Sequence, residues 1–175
     1  SAALLNRMVS RKARELVTVA ISGDGADELF WGYPRYDRWQ KFTRRNAMPL
    51  LPGIARQLAR SLPPSHLQYQ LVMLAEKKPV QRHFDQFLTM GMRFRIKDPI
   101  TNYAMWSTEG VDKISHRPDL PSILDIKTYL ADAMLYKVDR SSMASGLEVR
   151  VPYLDNEVLE FALQLPLYQK SNEQY

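Results

Sequence analysis

Three carboxylates fall within five residues in the segment Ser22-Gly23-Asp24-Gly25-Ala26-Asp27-Glu28. Such a cluster does not suit a bare anion. It suits a site with Mg²⁺ between protein and phosphate, or one that handles an ammonium-like nucleophile. Gly23 and Gly25 let the backbone approach a ligand closely or adopt a positive φ. Free amides at a helix start favour phosphate. The same residues also read as a plain turn in which Asp27 and Glu28 offset a helix dipole. A second concentration of charge holds Asp132, Lys137, Asp139, Arg140, Glu148 and Arg150. Lys137 and Arg140 are three apart and share a helix face, a reasonable clamp for a polyphosphate. The alternative is a buried ion-pair network, Arg140 with Glu148 or Asp139 with Arg150. A third stretch, 31–45, interleaves aromatic with basic residues, as single-stranded nucleic-acid binders do. At helical spacing, however, Arg38, Lys41 and Arg45 take one face while Tyr36 and Trp39 turn to another. An ordinary amphipathic helix is the better reading, and nucleic acid is not the expected partner.

The rest of the composition narrows the chemistry. The chain has no cysteine, which excludes a disulfide scaffold, a Cys nucleophile and thiolate-bound zinc within it. That is compatible with the cytoplasm, the expected location. Histidines stand at 66, 83 and 116, without metal-ligand spacing. A net charge of +5 favours acidic and phosphate-bearing partners. No apolar run approaches a membrane span, and residues 1–5 carry no basic segment of a secretory signal.

These residues must be positioned by few elements. Residues 1–16 have the period of a short amphipathic helix. Residues 17–21 are β-branched and nearly all apolar, the pattern of a buried strand in a parallel sheet. The glycine turn follows, and a helix begins near residue 26. Tyr33-Pro34 interrupts it, and another helix spans 35–45. Prolines divide 47–120 into short helices, the clearest at 81–90. A helix over 122–135 has Ser122 as its N-cap. Gly146 breaks the next helix, and 147–151 alternates as an extended piece that Pro152 ends. Asp155 or Asn156 caps a last helix over 157–164. The organisation expected is three parts: 1–46, 47–120 and 121–175.

Two segments carry a family resemblance. Val19-Ala20-Ile21-Ser22-Gly23-Asp24-Gly25-Ala26-Asp27-Glu28-Leu29-Phe30-Trp31-Gly32-Tyr33 resembles the SGDG-x-DE-LF-x-GY block of glutamine-hydrolysing asparagine synthetases. Residues 129–144, YLADAMLYKVDRSSMA, followed by 147–155, LEVRVPYLD, resemble that family's second signature. The resemblance implies an α/β nucleotide-binding fold of the ATP pyrophosphatase type. It implies an enzyme that activates the aspartate side-chain carboxylate with ATP and Mg²⁺, and transfers ammonia from a separate glutaminase domain. By motif position Ser22, Gly23 and Gly25 would line the ATP site. Asp24 would take the acidic position tied to adenylation and ammonia attack, with Lys137 and Arg140 as its cationic counterparts. Asp27, as a metal ligand, and Glu28 would border the aspartate or Mg²⁺ region. Asp139, Glu148 and Arg150 would lie in or behind the same cleft.

Departures from the family pattern set further expectations. The pyrophosphate loop Ser-Gly-Gly-x-Asp-Ser and the glutaminase's N-terminal Cys are absent from the 175 residues. The chain therefore reads as a C-terminal piece of the synthetase domain: mainly helical, with one or two strands, inactive alone and able to dimerise through an uncovered apolar face. Ala26 and Trp31 stand where glycines are usual, and Ala131 and Ala133 replace the usual Pro and Asp. These leave the acceptor open, since some relatives amidate sugar acids and others close a β-lactam ring. A non-catalytic remnant used for binding or assembly is the alternative.

Overall fold

A computed structural model describes residues 2–46, 50–63, 66–75, 79–80, 83 and 110–171. In chain order its elements are α1 (Ala2–Arg14), β1 (Val19–Ile21), α2 (Ala26–Leu29), α3 (Pro34–Asn46), α4 (Leu51–Ser61), α5 (His66–Ala75), α6 (Val111–Ile114), α7 (Leu120–Asp125), a π-helical stretch (Ile126–Leu135), α8 (Tyr136–Met143), β2 (Glu148–Arg150), a 3₁₀ turn (Pro152–Leu154), α9 (Asn156–Gln164) and α10 (Leu167–Lys170). They form two units, one of residues 1–32 with 122–175, the other of 33–121.

In the first unit β1 and β2 pair in parallel, Val19 opposite Glu148, Ala20 opposite Val149 and Ile21 opposite Arg150. The expected buried strand over 17–21 is corrected to three residues. It is not buried: Val19 is 38% and Ile21 78% exposed. Parallel strands are buried only where helices cover both faces, and no described residue covers Ile21 to that extent. Helix α1 forms as its period predicts and packs on α8. The contact runs through polar groups: Ser141 Oγ donates to the Ala3 carbonyl at 3.3 Å, and Arg14 Nε to the Gly146 carbonyl at 2.9 Å. The apolar stripe Leu4, Leu5, Met8 and Val9 is left exposed.

Ser122 does not cap a helix. Helix α7 begins two residues earlier, with Pro121 in its first turn, where a missing N–H costs nothing. Ser122 Oγ instead donates to the Glu28 carbonyl at 2.6 Å and ties α7 to α2. Beyond it, Thr128 Oγ1 donates back to the Leu124 carbonyl at 2.7 Å, a competitor for the helical ladder where the helix widens into π geometry. Helix α8 ends as expected at Gly146, whose φ of 67° lets the Leu147 amide return to the Ser142 carbonyl at 3.1 Å. The turn drives Leu147 into the core and launches β2. Asp155 Oδ1 accepts from the Glu157 amide at 3.0 Å and caps α9.

In the second unit Pro34 starts α3, as suits a residue with fixed φ and no N–H. Tyr36 and Trp39 are fully buried, and Ala55, Ala59 and Met73 join them in this unit's core. Helix α4 packs on α5, and Gln68 Nε2 donates to the Ala59 carbonyl at 2.9 Å across that joint. Arg117 forks onto Asp119 at 2.8 and 2.7 Å. That hydrogen bonding raises the guanidinium further above its ordinary value. The helix expected over 81–90 lies, except for residue 83, outside the described residues.

Candidate functional site

Parallel pairing puts the carboxyl ends of β1 and β2 side by side, where open α/β sheets hold ligands. The Ser22 amide donates to the Arg150 carbonyl at 2.8 Å, extending the ladder by one residue. The chain then turns. Ser22 Oγ donates to the Asp24 carboxylate, and the Asp24 amide leans back toward Ser22 Oγ at 3.4 Å. The Asp24 side chain is thereby tethered at the strand's end.

The two glycines do different work. Gly23 is exposed, and a Cβ added there would meet nothing within 4 Å. Its backbone is open to a ligand. Gly25 is buried at φ 92°, and a Cβ would lie 2.7 Å from Leu154 Cδ2. So Gly25 is required by its dihedral, and the Leu154 side chain of the 3₁₀ turn closes over it. Phe30 and Tyr153 meet edge to face at 6.0 Å, so the segment after β1 packs on the segment after β2. The two signatures, some hundred residues apart in sequence, share one corner of this unit. Leu154 and Tyr153 were not singled out as site residues; their place after an alternating strand and Pro152 was the available signal.

Helix α2 is a single turn, shorter than the expected helix, so the helix-dipole argument for an anion here is weak. Asp27 is exposed, and its carboxylate makes no hydrogen bond or ion pair among the described residues. Gly32 closes back on it: the Gly32 amide donates to the Asp27 carbonyl at 2.9 Å, and a Cβ on Gly32 would lie 2.9 Å from Asp27 Cα. Trp31, between them and the helix, holds φ 64° while only 6% exposed. Glu28 is 1% exposed and faces the interior of its unit.

The cations of the second signature lie on α8. Lys137 is half-buried, and its Nζ has only the Met134 sulfur as a hydrogen-bond partner among the described residues, at 3.3 Å. Arg140 is exposed and lies 5.2 Å from the Tyr136 ring centroid. The Asp139 carboxylate is exposed. No hydrogen bond or ion pair joins Lys137, Asp139 or Arg140 to Asp24 or Asp27 among the described residues. The pairs Arg140–Glu148 and Asp139–Arg150 do not form. Arg150 Nε instead donates to Glu148 Oε1 at 2.8 Å on the same strand face, an exposed pair worth at most about 1 kcal/mol.

Among the described residues no group of three or more His, Asp or Glu side chains could together hold a metal ion. The carboxylates do not fit a protein-made magnesium cage.

Comparison with known proteins places the chain. The profile of the asparagine synthase family matches residues 1–175. The chain is 29% identical to "Asparagine synthetase [glutamine-hydrolyzing] 1" of Bacillus subtilis over 90% of its length, which is 26% of that protein. A "Putative asparagine synthetase [glutamine-hydrolyzing]" of Mycobacterium tuberculosis is likewise 29% identical, over the same shares. A short block of 44 residues is 50% identical to a "Putative asparagine synthetase [glutamine-hydrolyzing] 1" of Methanocaldococcus jannaschii, covering 22% of the chain and 8% of that protein. The chain spans about a quarter of the length of the first two relatives. No solved structure matches it significantly.

Proposed function

The chain belongs to the asparagine synthase family, and from that premise we propose that it is part of an ATP-dependent, glutamine-hydrolysing amidotransferase of the cytoplasm. In this reading the aspartate side-chain carboxylate attacks the α-phosphorus of ATP and pyrophosphate leaves. Ammonia then attacks the acyl carbon of the adenylate, and AMP leaves with the acyl–oxygen electrons.

On this reading the chain's residues take the roles that their positions in the two family motifs imply. Ser22, Gly23 and Gly25 would form the ATP-facing turn, with Gly23 giving access to the backbone. Asp24, tethered by Ser22, would accept the proton that ammonia sheds on attack. Lys137 and Arg140, which have no carboxylate partner among the described residues, would stabilise the charge of the departing pyrophosphate. Asp27 and Asp139 would face the amino-acid substrate. Buried Glu28 and the Glu148–Arg150 pair would act behind the cleft. Magnesium would arrive on the triphosphate, held mostly by phosphate oxygens and water. No step here is assigned to it.

The observation that supports this most is the parallel register of β1 with β2, which sets side by side the carboxyl ends of one strand from each signature segment. Isothermal calorimetry with Mg-ATP and Mg-AMP tests it, repeated on Asp24→Ala and Lys137→Ala. Saturable binding weakened in both variants is expected. Binding that neither substitution touches would overturn the assignment. A second reading, another acceptor such as a sugar acid, is favoured by Trp31: a large buried ring stands one residue before Gly32, where the family usually has glycine. Product analysis with aspartate and with uronic acids separates the two.

A further inference from the structure

The chain's positive charge is concentrated away from both signatures. Of its 24 basic and 19 acidic residues, α3 and α4 hold seven and one, so the remainder carries 17 and 18. The basic excess of the whole chain therefore belongs to two helices of the second unit. On α4, Arg56 and Arg60 are four apart and project from one face. Like charges so placed repel by a few tenths of a kcal/mol. Neither α4 nor α5 carries an acidic residue to relieve them. Both guanidinium groups are exposed, and neither makes a hydrogen bond or ion pair among the described residues.

The two arginines also border a concavity of about 290 Å³ between α4 and α5. Its other walls are Ala59, Gln68, Val72 and Ala75. The bond from Gln68 to the Ala59 carbonyl fixes the two helices against each other, so the depression does not depend on a loop. Its volume sits at the small end of ligand sites, about 300 Å³. Its rim offers two planar forks matched to a tetrahedral oxyanion, and its wall offers apolar side chains to a small organic body. A carboxylate would use one fork; a dianionic phosphate can engage both.

We propose that the pocket between α4 and α5 binds a compact phosphate monoester through Arg56 and Arg60. This site is built from other residues than the ATP-facing turn at 22–25 and does not rest on the function assigned to that turn. The occupant is a small phosphorylated molecule rather than a polymer, because both arginines line one depression instead of tracking a groove.

Phosphorus NMR and calorimetry with inorganic phosphate and methyl phosphate test the proposal, at constant ionic strength set with chloride. The unaltered chain is expected to bind one equivalent saturably. Arg56→Gln with Arg60→Gln is expected to weaken binding at least about tenfold, since it removes two charge-assisted contacts. Arg56→Lys with Arg60→Lys keeps the charge and guards against a folding artefact; it is expected to fall between the two. Asp24→Ala should leave phosphate binding unchanged while it weakens ATP, which keeps failure of this site distinct from failure of the synthetase reading. No saturable binding by about 10 mM phosphate would overturn the proposal. So would equal binding by the double glutamine variant, or a single-stranded oligonucleotide that binds without competition from phosphate.

Discussion

At the scale of single residues, two glycines in one turn make opposite predictions. Gly25→Ala forces a β-carbon into left-handed backbone, about 1–2 kcal/mol, and against Leu154 as well. Urea unfolding is expected to show a loss of at least that size. Gly23→Ala meets no neighbour, so stability should stay within about 0.5 kcal/mol. On the proposed function it should nevertheless weaken ATP, because a methyl group would stand over the open backbone. If both variants lose stability equally, the turn is not arranged as described. Trp31 poses a contest between two terms. Replacing it with glycine removes about 1–2 kcal/mol of left-handed cost. It also empties the space of a nearly buried indole, about 3–5 kcal/mol by analogy with truncation to alanine. Burial wins, and Trp31→Gly should lower stability by about 2 kcal/mol. A more stable variant would mean the ring contributes little to packing. Both signature turns were legible in the sequence because glycine and carboxylates advertise themselves. The tryptophan's backbone was not, since no propensity assigns an aromatic residue a positive φ.

At the scale of elements, hydrogen bonds that cross the sequence decided what periodicity could not. The sequence pattern of 122–135 fits one helix capped by Ser122, because serine before an apolar run is a common cap. The hydroxyl goes instead to the Glu28 carbonyl, 94 residues away, and the helix starts earlier. No local rule could weigh that partner. Ser122→Ala should therefore cost more than an ordinary cap: it leaves a buried carbonyl without its donor, about 1–3 kcal/mol. Chemical denaturation measures this, and a change below about 0.5 kcal/mol would show that the bond joining α2 to α7 is dispensable. The end of α8 and the start of α9 were, by contrast, readable. Gly146 and Asp155 each satisfy backbone groups within a few residues of themselves, so the information is local. The strand at 17–21 was legible in kind but not in burial. Composition reports that Val19 and Ile21 favour a covered sheet; it does not report what covers them.

At the scale of the whole molecule, the parallel pairing of β1 with β2 joins residues 129 positions apart, with the second unit inserted between them in sequence. The family resemblance implies that both signatures serve one site; the register pairs one strand from each of them. The proposed function also sets an expectation for these 175 residues. Glutamine hydrolysis in the family depends on an N-terminal cysteine, and the chain has none. Adenylation depends on a pyrophosphate loop, Ser-Gly-Gly-x-Asp-Ser, that this sequence lacks. Among the described residues the carboxylates do not assemble a metal cage. The expected outcome is that the 175-residue polypeptide, supplied with glutamine, aspartate and Mg-ATP, releases neither glutamate nor asparagine, while ammonia in place of glutamine changes nothing. Amino-acid analysis by mass spectrometry reads both products. Asparagine formed from ammonia alone would mean that the turn at 22–25 and the cations of α8 suffice for adenylation and amide transfer. Glutamate released without a cysteine would require a nucleophile of another kind, and would overturn the division of labour proposed here.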